Sequence, residues 1–482
     1  KAVLLVCSRI ADGEQRAAPL LAAMGTLNES DRTAILPTLG HVGGPAALKI
    51  IEAAISKPDP ELHDTGLRAL CNWPDASIAS RLTELAQQDK HPEHRTKALR
   101  ALIRIASLPD GRTDGEKLEL LRLNNSFICR VRSKDGAEGI SVSNNSQQSS
   151  LYPIQVNRLQ PFFIGKDARN LDELLEEVYV YQSNYKLQSL ALWVPLATIE
   201  FAILDMLGRI ANKPMGLLIG DKIYNPTVPV YRANGERDVT AEAVMVNLKR
   251  QVEESQAKAL KIKIGGRMSH TEYPAGRSEK LIPMVRKEFG DKMVCYADSN
   301  GSYGVGEGIK FGKLLEEYKF AFYEEPVPFD WYEETKAVAD AVNIPLAGGE
   351  QESSMHAFRW LIANDGLDIV QADVYYFGGL IRSMKVARMA AAMGKVHTPH
   401  ISGGLGYLYM IHFVSVIPNA GPYHEFKGLS QAVPFECKTS SLKTDGGFVQ
   451  VPTGPGSGIE IDPAFVKKHT VVKRDASRSS EE

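Results

Sequence analysis

The chain has 482 residues, 44% hydrophobic and 24% charged, an ordinary globular composition with length enough for two to four domains. A formal net charge of −2 offers no global field for nucleic acid or an anionic membrane, and the basic residues do not form the aromatic-and-basic stripe of single-strand binders. Cys7, Cys71, Cys129, Cys295 and Cys437 are dispersed with no CxxC or CxxH, which argues against a disulfide framework and a structural zinc site and for free thiols.

The opening "KAVLLVCSRIADG" reads as the middle of a helix. Its apolar run is shorter than the roughly 7–15 residues of a signal h-region, and no small residue precedes Cys7. The chain does not begin with Met, so the original N-terminus and any export signal are expected upstream; the expected location is the cytoplasm. No apolar run reaches the roughly 18–20 residues of a membrane span.

Residues 1–107 carry Ala and Leu at helical spacing. "PELHDTGLRAL" (60–70) and "PEHRTKALRAL" (92–102) align at a period of 32, with "DRTAILPTL" (31–39) a weaker earlier copy. Such self-similarity indicates stacked helix pairs, and the stretch resembles HEAT-like repeats; an irregular helical bundle is the alternative. A polar linker, 108–116, follows. Three strands are expected at "KLELLRLN" (117–124), "SFICRVRS" (126–133) and "EGISVSN" (138–144), the last hairpin turning at Asp135-Gly136. A buried helical stretch then runs from about Leu171 to Gly220.

From Val228 short apolar strands alternate with amphipathic helices: "VPVYRANG", "ALKIKIGG", "MVCYADSN", "FAFYEEP", "PLAGGE", "DIVQADV", "VHTPHIS" and "YHEFKG". This pattern predicts a parallel β/α barrel at 226–429. The Gly-rich "FVQVPTGPGSGIEIDPAF" lies outside it, and 469–482 is expected to be a disordered tail.

Barrel enzymes place reacting side chains at the C-terminal ends of strands. Lys261 and Lys263 close the second strand on one face, so mutual repulsion predicts a depressed pKa for one, which could then act as a base. Asp298, Glu324 and Glu350 end the next three strands, 26 residues apart each time. Three converging carboxylates need protons or a divalent cation. All-oxygen ligands favour Mg2+ (or Mn2+), one per subunit, over Zn2+. Asp373 and His400 follow on the sixth and seventh strands, where the carboxylate can hold the imidazole in one tautomer. Glu425 ends the eighth. Lys263 and His400 then face each other across the mouth. A substrate carboxylate on the metal, with an enediolate stabilised as the α-proton leaves, suits that layout.

The ordered set "KIK" (261–263), "DSN" (298–300), "EEP" (324–326), "GGE" (348–350), "QADVYYFGG" (371–379), "HTPHIS" and "HEF" resembles the enolase superfamily, in its mandelate racemase-like branch, from about Lys117 to Phe465. The resemblance implies an α/β fold: a modified (β/α)8-type barrel with an α+β capping domain at 117–225, completed by about 430–468. It implies that Asp298, Glu324 and Glu350 are metal ligands and that Lys263 is one base. Lys261 would neutralise the substrate carboxylate, His400 with Asp373 would act on the other face, and Glu425 would hydrogen-bond the metal-bound carboxylate as an electrophile. The muconate-lactonizing-like branch carries a lysine after the sixth strand; "DVYYFGG" has none, which argues against that branch.

The activity so implied is Mg2+-dependent dehydration of an acid sugar. Racemisation, epimerisation or cycloisomerisation on the same scaffold is the alternative, and a non-catalytic binding protein using its helical repeats the contrasting class. The partner is a small-molecule carboxylate; relatives commonly self-associate, so a homo-oligomer is expected, and the repeats could hold a protein partner. Several residues stay open. Lys261 could be a solvated rim lysine and Glu325 structural. Asn300 is a loop cap or a contact behind the ligands. His397 is structural or supporting rather than catalytic, and Tyr375 and Tyr376 either line the pocket or pack. The loops 143–153 and 265–277 would set specificity.

Overall fold

The computed structural model describes residues 7, 10, 15–75, 77–105, 117–133 and 136–474. Most of the opening "KAVLLVCSRIADG", all of the linker 108–116, Lys134 and Asp135 of the expected turn, and 475–482 lie outside the described residues. The chain divides into two compact units, Lys1–Thr113 and Asp114–Glu482. The cap and the parallel sheet therefore share one unit. All five cysteines are free.

The first unit is helical. Its longer helices are Glu29–Val42, Pro45–Ile55, Pro60–Cys71, Ala79–Gln88 and Pro92–Ile105. The 32-residue period lands on two equivalent helix starts, Pro60 and Pro92. Proline suits a first helical turn because its missing N–H would have no intrahelical partner there. Asp59 caps the first of these, its carboxylate accepting from the Leu62 N–H. Leu39, Ala47, Ile51, Leu67, Leu70, Leu82 and Ala98 pack into one apolar core.

In the second unit, β1 (Lys117–Leu123), β2 (Ser126–Arg132) and β3 (Glu138–Val142) form the expected antiparallel sheet. Gly136, in the expected turn, takes φ +90°, a conformation glycine adopts without strain. The expected disordered tail needs correction. Thr470–Val471 forms a strand on the free edge of β1, opposite Arg122 and Leu121, because that edge offers unpaired backbone groups. One helix, Leu190–Ala211, is long and apolar enough to cross a membrane, but it is mostly buried in the core of this unit. It packs on β2 and β3.

The eight expected parallel strands are present: β4 (Thr227–Ala233), β5 (Ala259–Lys263), β6 (Val294–Asp298), β7 (Phe322–Glu324), β8 (Leu346–Gly348), β9 (Ile369–Val370), β10 (Val396–His397) and β11 (His424–Glu425). They form a curled sheet in which β4 to β10 neighbour one another in chain order and β11 returns to pair with β4. The seam between β10 and β11 is bridged at His397 and Ala420 rather than by a ladder of the two strands. Phe448–Gln450 adds an antiparallel strand on β4. Register carries the site: Lys263 stands opposite Asp298, and Asp298 opposite Glu324, in one row across three strands.

Candidate active site

That row meets the residues that follow β8, β9, β10 and β11 at one end of the sheet. Asp298, Glu324 and Glu350 are buried, and an oxygen from each lies within 4.8 Å of the others. Lys261, fully buried rather than a solvated rim residue, sets its Nζ 2.6 Å from Glu324 Oε2, 3.2 Å from Glu425 Oε2 and 3.6 Å from Asp298 Oδ2. Lys263 donates to Asp298 and to Asn300 Oδ1, the latter at 2.9 Å. Both lysines thus share one face, as alternation along a strand requires.

The expected depression of a lysine pKa is not what Lys261 shows. Burial would lower it, but Glu324 and its neighbours, Tyr231 and Glu425, hold the ammonium well above its ordinary value. Carboxylates around this group outnumber ammoniums, so attraction outweighs lysine–lysine repulsion. Burial likewise opposes ionisation of Asp298, yet Lys263 and Lys261 hold it down at about 2. Glu324 goes the other way: burial and Asp298 push it up to about 7.

His400 Nδ1 lies 2.8 Å from Asp373 Oδ2, and its Nε2 lies 3.3 Å from Glu350 Oε2. Burial would lower His400, but Glu350 and Asp373 raise it to about 9. Asp373 is itself oriented, its Oδ1 accepting from the Tyr375 and Tyr376 N–H groups at 2.7 and 3.1 Å.

His397 needs correction as a supporting residue. It is buried with neither ring nitrogen hydrogen-bonded, its ring sits edge-on to Phe413, and it does not line the cavity at the site. Burial, with His424 nearby, lowers it to about 3. A strand reverses side-chain direction at each residue, so His397 points outward where β10 is still regular. Tyr375 packs against Phe201 and Tyr409 and donates to the Val142 carbonyl, whereas Tyr376 lines the cavity.

The cavity measures about 430 Å³ and is lined by Lys263, Asn300, Glu350, His400 and Glu425 among others. The loop 265–277 contributes Arg267 and Met268. The expected loop 143–153 is mostly the helix Asn145–Ile154, and Asn144 just before it donates a hydrogen bond to Ser402 in the His400 segment. Glu425 is ionised in this state: burial opposes it, but Lys261 and Lys427 hold its carboxyl well below the usual range. It is therefore an acceptor here, not the donor that an electrophilic role would need.

Asn300 is more than a loop cap. It accepts from Lys263 and from Arg237, the latter at 2.8 Å, and its Nδ2 lies 3.3 Å from Glu350 Oε1. Asn300 and Glu325 both have positive φ, 44° and 43°, a strained conformation that recurs at functional sites. Glu325 reaches the cavity with its carboxyl held protonated by burial and by Glu350, well above the ordinary value. Sequence reasoning missed Arg237 and Lys427 and gave Glu325 no functional weight. Spacing held a faint signal for Lys427 alone, two residues after Glu425.

The donor set fits a hard divalent cation. Three carboxylates supply only oxygen, and Glu324 Oε1 is buried with no hydrogen-bond partner. A buried acceptor left so is costly unless a cation satisfies it.

A parallel βα sheet thus brings three convergent carboxylates, a candidate divalent-cation site, between a lysine and a His–Asp pair. Residues 243–465 match the family model described as enolase C-terminal domain-like. Arabinonate dehydratase of Saccharolobus solfataricus is 24% identical over 341 residues, covering 69% of this chain and 87% of that protein. D-xylonate dehydratase of Haloferax volcanii is 25% identical over 335 residues, covering 66% and 79%. A mandelate racemase/muconate lactonizing protein from Paracoccus denitrificans, solved with magnesium, shares the fold with a TM-score of 0.66 at 23% identity, covering 76% of this chain and 99% of that one.

Proposed function

We propose that this protein is a Mg2+-dependent acid-sugar dehydratase. The observation that carries the reading is the placement of Lys263 and His400 on β5 and after β10, both lining one cavity beside the three carboxylates. The acid-sugar dehydratases among the relatives support the substrate class.

Asp298, Glu324 and Glu350 would hold the cation. When bound, it would take up their charge, draw in the substrate carboxylate and stabilise the negative charge left by the departing α-proton. Lys263 takes that proton. Its Nζ pairs with Asp298 in this structure and lines the cavity. His400, raised by Asp373 and Glu350, is charged at neutral pH and is poised to protonate a β-hydroxyl as it leaves as water. The remaining enol becomes a 2-keto-3-deoxy acid. Lys261 keeps a fixed positive charge beside the substrate carboxylate.

The test is a screen of sugar acids with Mg2+ for 2-keto-3-deoxy product. Absence of keto product across a broad library would overturn the proposal. Reaction in D2O separates the alternative: epimerisation or racemisation exchanges the α-proton and keeps every hydroxyl, whereas dehydration loses one. The residues named in this chemistry all lie in the unit Asp114–Glu482; a HEAT-like stacking of the first unit is proposed from the repeat at Pro60 and Pro92.

A further inference from the structure

The first unit holds a second cluster of metal-type side chains, built without cysteine. His63 lies in the helix Pro60–Cys71, Asp89 directly follows Ala79–Gln88, and His94 lies in Pro92–Ile105. His63 Nε2 is 3.4 Å from Asp89 Oδ2, and His94 Nδ1 is 3.4 Å from Asp89 Oδ1. The side chains of Asp89 and His94 are 4% and 9% exposed. His94 occupies the repeat position that Leu62 fills in the preceding copy, so a polar ring has taken an apolar place.

The outer nitrogen of His63 fixes its tautomer, whereas His94 has a carboxylate 3.4 Å from each ring nitrogen. His63 Nδ1 sits 2.6 Å from the Ile55 carbonyl, which can only accept, so it carries the proton. His94 Nε2 sits 3.4 Å from Asp64 Oδ1, a carboxylate already paired with Lys97 and Arg68. With its ring neutral, the inner nitrogen of His63 presents a lone pair to the Asp89 carboxylate, and that of His94 does so when Nε2 carries the proton. His94 Nδ1 is buried with no hydrogen-bond partner. Three acceptors facing one another repel unless a cation lies among them or both rings carry a second proton. The His63 and His94 rings stack with centroids 4.9 Å apart and planes 21° apart, so both are held against the same carboxylate.

A metal resolves the conflict. Two bonds of about 2.0–2.1 Å at a tetrahedral angle set ligand atoms about 3.3–3.4 Å apart; His63 Nε2 is that far from Asp89 Oδ2 and His94 Nδ1 from Asp89 Oδ1, and one ligand atom from each residue lies within 4.8 Å of the others. Imidazole nitrogens select a transition metal over Mg2+, and outer N–H groups held by a carbonyl and a carboxylate are the usual support of zinc-binding histidines. We propose that His63 Nε2, Asp89 and His94 Nδ1 bind one Zn2+ ion, which pins three helices together. Its fourth position opens to a cavity of about 670 Å³ that His91 and Glu93 also line.

The experiment uses the full chain, stripped with a chelator and dialysed against zinc in excess Mg2+, with bound zinc counted by elemental mass spectrometry. Both the unsubstituted chain and Glu350→Gln, which disables the acidic site, should retain one zinc per chain at the cluster. In the Glu350→Gln background, His63→Ala and Asp89→Asn should each weaken zinc binding by more than about tenfold, the loss that even outer partners of a metal ligand cause. Cobalt in the same background should show the intense visible absorption of four-coordinate Co2+, lost with His63→Ala. His63 is partly exposed and Asp89→Asn preserves shape, so helical circular dichroism should be unchanged in both. No zinc in Glu350→Gln, or equal zinc after either cluster substitution, overturns the proposal and leaves a hydrogen-bonded His–Asp–His network. Neither result bears on the dehydratase reading.

Discussion

Lys263, Asp298 and Glu324 stand in one row because three parallel strands share a register. The consequence at residue scale is a lysine held against Asp298 at the edge of the cavity. Lys263→Ala should lower kcat for sugar-acid dehydration by about 10²–10⁴-fold, the range for a lost general base, with Mg2+ binding retained. His400→Asn should do the same, and a deuterium-exchange assay would separate them: the Lys263 variant should fail to exchange the α-proton, the His400 variant should still exchange it.

Glu200 offers a stability test away from the chemistry. It is buried, its Oε1 accepts from the Leu380 and Ile381 N–H groups, and burial raises it to about 8. A folded pKa above the unfolded value means the native state binds more protons. Its stabilising contribution is present below the ordinary carboxyl range, near 4.5, and is lost as pH rises through about 8. Thermal melts at saturating Mg2+ should show a decline in Tm from pH 5 to 8 that is shallower in Glu200→Gln. Parallel declines would refute this assignment.

At the scale of elements, the helix Leu190–Ala211 joins cap to sheet. Phe201 stacks on Tyr409 at 4.2 Å and meets Tyr375 edge-on at 5.2 Å, while the Tyr375 and Tyr409 hydroxyls bind the Val142 backbone. Phe201→Ala should cost roughly 3–5 kcal/mol in denaturant unfolding, the range for a buried aromatic cavity. The same helix supplies Glu200, which caps the helix Leu380–Ala392 and so steadies the turn after Asp373. Its length and buried character were readable from an apolar run that wraps more than one face. Its role as a brace was not, because Glu200 meets Leu380 across 180 residues.

For the whole molecule, every residue of the candidate active site lies in the unit Asp114–Glu482. A chain beginning at Asp114 should therefore keep the Mg2+-dependent rise in Tm. At about one hundred times Kd that rise corresponds to about 2.7 kcal/mol, and Glu350→Gln should abolish it. Loss of the Mg2+ response on truncation would mean that the helical unit supports the site.

The strands, their order and the carboxylate spacing were legible along the chain because each βα unit repeats a local pattern and ends in one functional side chain. That is how Asp298, Glu324, Glu350, Asp373 and His400 could be named in advance. Charge states were not legible. Lys261 is raised rather than lowered because register and curl set how many carboxylates surround it, and no local pattern counts them. The same holds for Glu325 and Lys427, which reach the cavity, and for Arg237, which reaches Asn300, from loops whose backbone path has no periodicity. It holds for Thr470–Val471, which is ordered by an edge strand more than three hundred residues away. His63, Asp89 and His94 come together only when three helices stack, since side chains that far apart in the chain meet through packing alone.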